Sequence, residues 1–353
     1  MISDGPAPHG RGAATNPANR FELICYQRDA DDPVEDSPSP GTQFFRDSTR
    51  TILAHNDSPD IGFDTSINPY RGCEHGCAYC YARPYHEYLG LSAGLDFETK
   101  IFVKEDAPEL LRREISSPKW RPRVIALSGV TDPYQPAERR FQISRRCLEV
   151  LAEFRNPVGI VTKNRLVARD RDILGEMSAY RGAAVWMSVT TLDADLARRM
   201  EPRTTQPPGR LAAIRALADA GVIVGVLAAP MIPGLNDHEL PAILKAAAAA
   251  GARYAGYIIL RLPYGVKELF ADWLLRHFPE KQEKVLGRLR DMHGGKLNDP
   301  RFGARMRGEG ELAGQIDALF AAGCRRAGLS RSFPGLSVDS FRPAGGRQGL
   351  LFD

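Results

Sequence analysis

The chain has 353 residues, 43% of them hydrophobic and 25% charged, with 47 basic against 43 acidic side chains and six cysteines. That apolar fraction suits a buried core and excludes both a disordered chain and a collagen-like repeat, while the length admits two or three domains or one α/β barrel with appendages. The opening Met1-Ile2-Ser3-Asp4 has neither a basic start nor an apolar stretch, and the longest nearly apolar run, 222–233, falls short of the ~20 residues of a membrane span. A cytoplasmic protein without a membrane partner is the expectation.

Charge is unevenly placed, with 5 basic against 11 acidic side chains over residues 1–65 and 14 against 9 over residues 276–353. Residues 1–60, rich in Pro, Asp, Asn and Ser, are expected to form an acidic, largely irregular extension. From 61 to 265 short apolar, β-branched runs alternate with amphipathic stretches. Strands are expected over 66–70, 124–127, 158–162, 184–189, 222–229 and 254–260, and helices over 108–115, 137–154, 166–179, 210–220 and 239–250. Strands apolar on both faces fit a parallel sheet covered by helices. Repeated strand–helix units build either an open doubly wound sheet or a barrel, and in both the chemistry gathers at the carboxyl ends of the strands. Residues 266–328 form a helical C-terminal region, with helices expected over 267–278, 279–292 and 310–327, and residues 329–353 a loop-like tail.

Cysteine placement carries more than cysteine number. Cys73, Cys77 and Cys80 fall within eight residues, just past the first expected strand, whereas Cys25, Cys147 and Cys324 are scattered. One cluster with three bystanders is a metal site in a reducing compartment rather than a disulfide framework. Gly72 and Gly76 beside the first two thiols favour a tight loop on which three sulfurs can converge. Zinc would call for a fourth ligand, for which His75 and His86 are the candidates. Three thiolates alone suit a cubane iron–sulfur cluster with one iron left open.

Cys-x3-Cys-x2-Cys with Tyr79 before the last cysteine, following the first strand of a six-unit alternation, resembles the radical S-adenosylmethionine superfamily. Within it the chain resembles the spore photoproduct lyase-like, or DNA repair photolyase-like, group over about residues 50–265. The likeness rests on Asn-Pro-Tyr-Arg-Gly-Cys at 68–73, Thr-Asp-Pro at 131–133, Thr-Lys at 162–163 and Ala-Pro at 229–230. It implies a partial (β/α)6 barrel of TIM type, a [4Fe-4S] cluster on Cys73, Cys77 and Cys80, and S-adenosylmethionine on the open iron. Reductive cleavage would then give a 5′-deoxyadenosyl radical that abstracts hydrogen from a substrate, with a flavodoxin- or ferredoxin-like protein as reductant. By the same resemblance Tyr79 meets the adenine, Thr131 and Asp132 lie where the methionine amino group is held, and Lys163 meets the carboxylate. Ser188 and Ala229 address the carboxylate or ribose and the adenine edge. Bland readings stand beside these: a solvated Lys163, a Ser188 satisfied by backbone, an Ala229 that only packs.

Gly129 occupies the position at which the resembled lyase carries a hydrogen-returning cysteine, which argues against repair of thymine dimers by that route. Tyr81, Tyr134 and Tyr257 are the alternative relays. At the C-terminus, Gln348, Leu351 and Phe352 resemble the short peptide by which bacterial repair proteins hold the sliding clamp. Arg301, Arg305, Arg307, Arg325, Arg326, Arg331, Arg342 and Arg347 could steer a polyanion. The substrate expectation is therefore nucleic acid, with a protein or small metabolite as the alternative and a zinc-stabilised binding module as the non-catalytic one.

Overall fold

The computed structural model describes residues 8–21 and 40–343. Cys25 and the tail residues Arg347, Gln348, Leu351 and Phe352 lie outside the described residues.

Ten strands occur among the described residues: β1 (Gln43–Arg46), β2 (Leu53–His55), β3 (Thr65–Ile67), β4 (Tyr70–Arg71), β5 (Lys100–Val103), β6 (Ile125–Leu127), β7 (Val158–Thr162), β8 (Ala183–Ser188), β9 (Ile223–Met231) and β10 (Tyr254–Ile259). Six of them, β3 and β6 to β10, are parallel and lie side by side in chain order, with β2 added antiparallel at the β3 edge. The order never reverses, unlike that of a doubly wound sheet. These are the six strands legible as apolar runs, and most of their residues are buried beneath the helices. The fold is mixed α/β.

The first expected strand is split. β3 stops at Ile67, and after Asn68-Pro69 the chain enters β4, which pairs with β5 in a separate three-stranded sheet ordered β1-β5-β4. That sheet was not expected. β1 lies within the stretch 1–60 that reads as irregular, and Phe45 stacks on Phe102 of β5 at 5.2 Å. Polar neighbours in so short a strand leave no period to detect.

Two expected helices are interrupted by buried carboxylates. The run 137–154 divides into Glu138–Phe141 and Ile143–Glu153 at Gln142, whose φ is 51°. Glu138 causes the break, because its buried carboxylate turns back to accept the amides of Ser144 and Arg145 at 3.0 and 3.3 Å and so caps the second helix. The run 166–179 opens as a 3-10 turn, Arg165–Asp170, before the helix Arg171–Ser178. There Asp170 is fully buried and accepts from Tyr134 and Arg145. A further helix, Ala194–Met200, was not expected; Asp193 caps it by accepting the amides of Asp195 and Leu196.

Residues 266–328 share one continuous apolar core with the sheet. Helix Gly310–Ala327 lies on helix Leu240–Ala249, where a side chain on Gly323 would collide with Leu244, and Ser330 joins the β10 edge through Ala255 and Arg253. No helix among the described residues is long and apolar enough to cross a membrane.

The described part of the N-terminal extension, 8–21, is laid along the cysteine loop. A Cβ on Gly12 would lie 1.7 Å from the Gly76 carbonyl oxygen, and one on Gly94 would lie 2.0 Å from that of Thr15. Only glycine permits this approach. Gly12→Ala is therefore expected to lift the arm and destabilise the cluster-free chain by about 1–3 kcal/mol, the usual range for overpacking. Urea unfolding with limited proteolysis of the arm checks this; unchanged midpoint and cleavage pattern would show that the arm is not docked through Gly12.

Candidate functional site

The three thiols stand on the loop 72–80 at the carboxyl end of the parallel sheet. Gly72 and Gly76 both have positive φ, 78° and 65°, as the tight loop requires. Four elements pin its backbone. Cys73 donates its amide to Phe97 O at 2.8 Å, and Ala78 donates to Met200 O at 3.0 Å. Gln135, fully buried, accepts from the Glu74 amide at 2.9 Å and donates to Gly72 O at 3.1 Å. Arg83 donates twice to Cys77 O, at 3.1 and 2.9 Å, while pairing with the buried carboxylate of Glu98. Glu98 in turn accepts the arm amides of Gly12 and Ala13.

Cys73 and Cys77 are buried and Cys80 half-buried, and no disulfide joins them. Burial pushes all three thiols up, with the Asp132 charge adding to Cys73 and the Glu201 charge to Cys77. A bound metal centre displaces those protons, as thiolate ligation requires. Among the described residues no three His, Cys, Asp or Glu side chains converge as one ion would need. A cluster takes each of three thiolates on a separate iron, whereas a zinc site would need a fourth protein ligand beside them. His75 is also engaged at both nitrogens, with Nδ1 3.4 Å from Asp132 Oδ2 and Nε2 accepting from Asn164 Nδ2 at 3.2 Å. Asn164 Oδ1 takes the Leu166 amide, which fixes the orientation of that side chain. His86 lies edge-on to Phe97 and Phe102, and burial drives it down to about 4.

Lys163, Ser188 and Ala229 come together. Lys163 Nζ donates to Ser188 Oγ at 2.5 Å and to Ala229 O at 2.9 Å, lies 3.6 Å from Glu201 and is 5.8 Å from the Tyr79 ring centroid. Its charge acts on Cys77 and Cys80. Tyr79 donates its hydroxyl to Glu201, which also pairs with Arg210 and accepts from Thr190 at 2.6 Å. Burial alone would raise the Glu201 carboxyl, but Arg210 and then Lys163 hold it down to about 2. Sequence reasoning missed Glu201, Arg210, Thr190, Gln135 and the Arg83–Glu98 pair. Burial made them decisive, and burial of a charge has no local signature.

Thr131 and Asp132 reach the same rim, but their side chains face the protein. Thr131 donates to Tyr70 O at 2.9 Å. Asp132 accepts from the Thr162 hydroxyl, the Lys163 amide and the Tyr134 amide at 2.7–2.8 Å, besides its contact with His75. Burial opposes its ionisation, yet His75 and these donors hold it below the usual carboxylate range. It therefore orients the cysteine loop through His75.

Gly129 sits close against Ser66. A Cβ there would lie 2.8 Å from Ser66 Oγ and 3.1 Å from Ser66 Cβ. Tyr81 donates its hydroxyl to Gly129 O at 3.0 Å, whereas Tyr134 is bound to Asp170 and Tyr257 to Asp317. Cys147 and Cys324 are core residues. Of the C-terminal arginines, Arg301 pairs with Asp299 and Glu309, Arg305 with Asp60 and Arg331 with Asp317.

The model of the Radical SAM superfamily matches residues 67–247. An uncharacterized protein of Mycobacterium tuberculosis is 37% identical over 235 residues, covering 66% of this chain and 68% of that one. An uncharacterized protein of Methanocaldococcus jannaschii is 30% identical over 173 residues, 49% of this chain and 62% of its own length. Among solved structures, spore photoproduct lyase complexed with dinucleoside spore photoproduct superposes with a TM-score of 0.58 at 18% identity, covering 83% of this chain and 79% of that one. A variant of that lyase with bound AdoMet and the same dinucleoside gives 0.56 at 18% identity over the same shares. The matched residues run from the end of β3 through helix Leu240–Ala249 and take in all three clustered cysteines, and the chain belongs to the radical SAM superfamily.

Proposed function

We propose that this chain is an enzyme that abstracts hydrogen from a polynucleotide, with the six parallel strands wound as a partial barrel around the reaction site. The cofactors of its family are a [4Fe-4S] cluster and S-adenosylmethionine, which together supply a 5′-deoxyadenosyl radical when the cluster is reduced. One observation carries the reading: three thiols on a rigidly pinned loop face a lysine held at the ends of neighbouring parallel strands. Cys73, Cys77 and Cys80 hold the cluster. Lys163, steadied by Ser188 and the Ala229 carbonyl, meets the methionine carboxylate in a charge-assisted contact. Tyr79 and Ala229 border the adenine, Thr131 and Asp132 shape the wall behind the amino group, and Glu201 keeps Lys163 and Tyr79 in register. A flavodoxin- or ferredoxin-like protein supplies the electron.

The polynucleotide is supported by the fold shared with a lyase whose solved complex holds a dinucleoside. The crowding of Gly129 by Ser66 separates the two, because no thiol stands at that point to return hydrogen. The reaction assigned here is therefore hydrogen abstraction whose product radical is quenched otherwise than by a cysteine at 129. An anaerobic dithionite assay for 5′-deoxyadenosine, followed by deuterium transfer from labelled oligonucleotides, tests it. Absence of 5′-deoxyadenosine from the iron-loaded protein overturns the chemistry, and its formation without deuterium transfer from any oligonucleotide overturns the substrate.

Cys77→Ala should lose the cluster's visible absorption and 5′-deoxyadenosine formation while keeping its circular dichroism, because the parallel sheet is built without the loop. Retention of four irons per chain in that variant would remove Cys77 from the ligand set.

Lys163→Ala should weaken S-adenosylmethionine binding about tenfold or more, in line with a charge-assisted hydrogen bond of about 1.5–3 kcal/mol, with iron and sulfide content unchanged. Glu201 ionises at about 2, below its ordinary value, so its support of Lys163 should persist at every pH down to the acid limit of folding. The ligand's own amino group titrates in this range, so the Lys163 contribution, read as the ratio of wild-type to Lys163→Ala binding, should be constant between pH 8 and pH 5. A ratio that falls steeply in that window would show that Glu201 is not the group that steadies the lysine.

A further inference from the structure

Exposed aromatic side chains cluster on one side of the cysteine loop. Tyr81, next to Cys80, is 45% exposed, and Tyr85 and Tyr88 on the following 3-10 helix, Arg83–Leu89, are 54% and 68% exposed. Tyr85 and Tyr88 have ring centroids 6.4 Å apart, and Tyr88 lies 4.9 Å from Phe21, itself exposed. At the inner end stands Arg261, just past β10, with its guanidinium 5.7 Å from the Tyr81 ring. This arginine has no carboxylate within ion-pair distance among the described residues. Its Nε is buried without a hydrogen-bond partner, and its sole side-chain contact of that kind is to Met306 sulfur at 3.6 Å. The nearby acidic group, Asp60, is already paired with Arg305, which places a second cation beside the first.

A half-buried guanidinium left unpaired beside another cation is a costly arrangement in the free protein, and an anion relieves it. Tyr81, Tyr85 and Tyr88, each about half exposed or more, offer ring surface to solvent on the same side of the loop. A cation next to exposed aromatic rings is the chemistry that holds an unpaired nucleic-acid strand, with phosphate on the guanidinium and bases on the rings. A duplex offers its phosphates but keeps its bases stacked on one another, so it cannot use the rings.

We infer that Arg261, Tyr81, Tyr85 and Tyr88 form a track that binds an unpaired polynucleotide strand and leads it to the cysteine loop. The inference rests on the polynucleotide reading proposed above and adds to it the strandedness of the substrate and the surface that selects it. Of the C-terminal arginines, Arg301, Arg305 and Arg331 are already ion-paired within the fold, unlike Arg261.

The experiment is fluorescence anisotropy on the anaerobically reconstituted full chain, with a labelled 16-residue oligothymidylate and a labelled 16-base-pair duplex, over a salt series. Wild type should bind the single strand at least about tenfold more tightly than the duplex. Tyr85→Ala with Tyr88→Ala should weaken single-strand binding by about tenfold or more, the scale of one lost stacking contact or more, while leaving duplex binding within about twofold. The Tyr85→Phe, Tyr88→Phe pair keeps the rings and should bind as wild type, which separates stacking from any loss of structure. Arg261→Gln should weaken the single strand and flatten its salt dependence by about one counterion. Equal affinity for the two probes, or alanine variants that bind the single strand as wild type does, overturns the track while leaving the polynucleotide reading standing. Failure of wild type to bind either probe overturns both, and then fits these side chains to a protein partner.

Discussion

Arg83 and Glu98 meet with both side chains fully removed from solvent, and the backbone of the cysteine loop hangs from that pair. Such a pair does not stabilise a fold by attraction alone, because desolvation of two charges opposes it. It is tolerable because the remaining groups are satisfied. Arg83 donates to the carbonyls of Cys77, Ala93 and Gly94, and Glu98 accepts the amides of Gly12 and Ala13. Removing either partner would leave a buried charge uncompensated, at about 3–5 kcal/mol. The pair therefore couples three pieces of chain far apart in sequence, the arm, the loop and the 93–98 turn, into one rigid unit.

A second buried carboxylate performs the same office on the opposite side. Glu201 gathers Tyr79, Thr190, Arg210 and Lys163, and Tyr79 lies between Cys77 and Cys80. Its ionisation is assured because two cations outweigh its burial. The loop is thus clamped between one ion pair beneath its backbone and one network beneath its side chains. Rigidity of this kind is what a radical reaction needs, since a reactive species must meet its intended hydrogen before any other. The protein's contribution is placement, and placement here is electrostatic.

The parallel strands were legible because a strand covered on both faces must be apolar throughout, and Val158–Thr162 or Ile223–Met231 can hardly be anything else. The clustered cysteines were legible because ligands of one centre lie close in sequence. What escaped was whatever depends on distant partners. Glu201 meets Tyr79 across 122 residues, and Glu98 meets Gly12 across 86. Glu138 reads as a helix residue and is one, yet its carboxylate ends that helix and starts the next by capping Ser144. The strands β1 and β5 escaped because four residues with polar neighbours carry no period that a window can detect. Asp132 is placed near the amino group by the family resemblance; its four partners in the fold, His75 among them, have no sequence signature.

The clamps also bear on what kind of substrate the site can admit. Every charge that touches the loop from within is compensated: Glu98 by Arg83, Glu201 by Arg210 and Lys163, Asp132 by its amide and hydroxyl donors. Arg261 stands at the outer margin, without an acidic partner among the described residues and beside Tyr81, whose hydroxyl is fixed on Gly129 O. Among the described residues, Arg261 is thus a cation without an acidic partner where the loop meets solvent. Residue 129 carries no thiol, and Ser66 lies in the space a side chain there would need. On the reading proposed above, this margin is where an anionic, stackable ligand would be held by charge and rings, and the return of hydrogen would fall to a group other than residue 129.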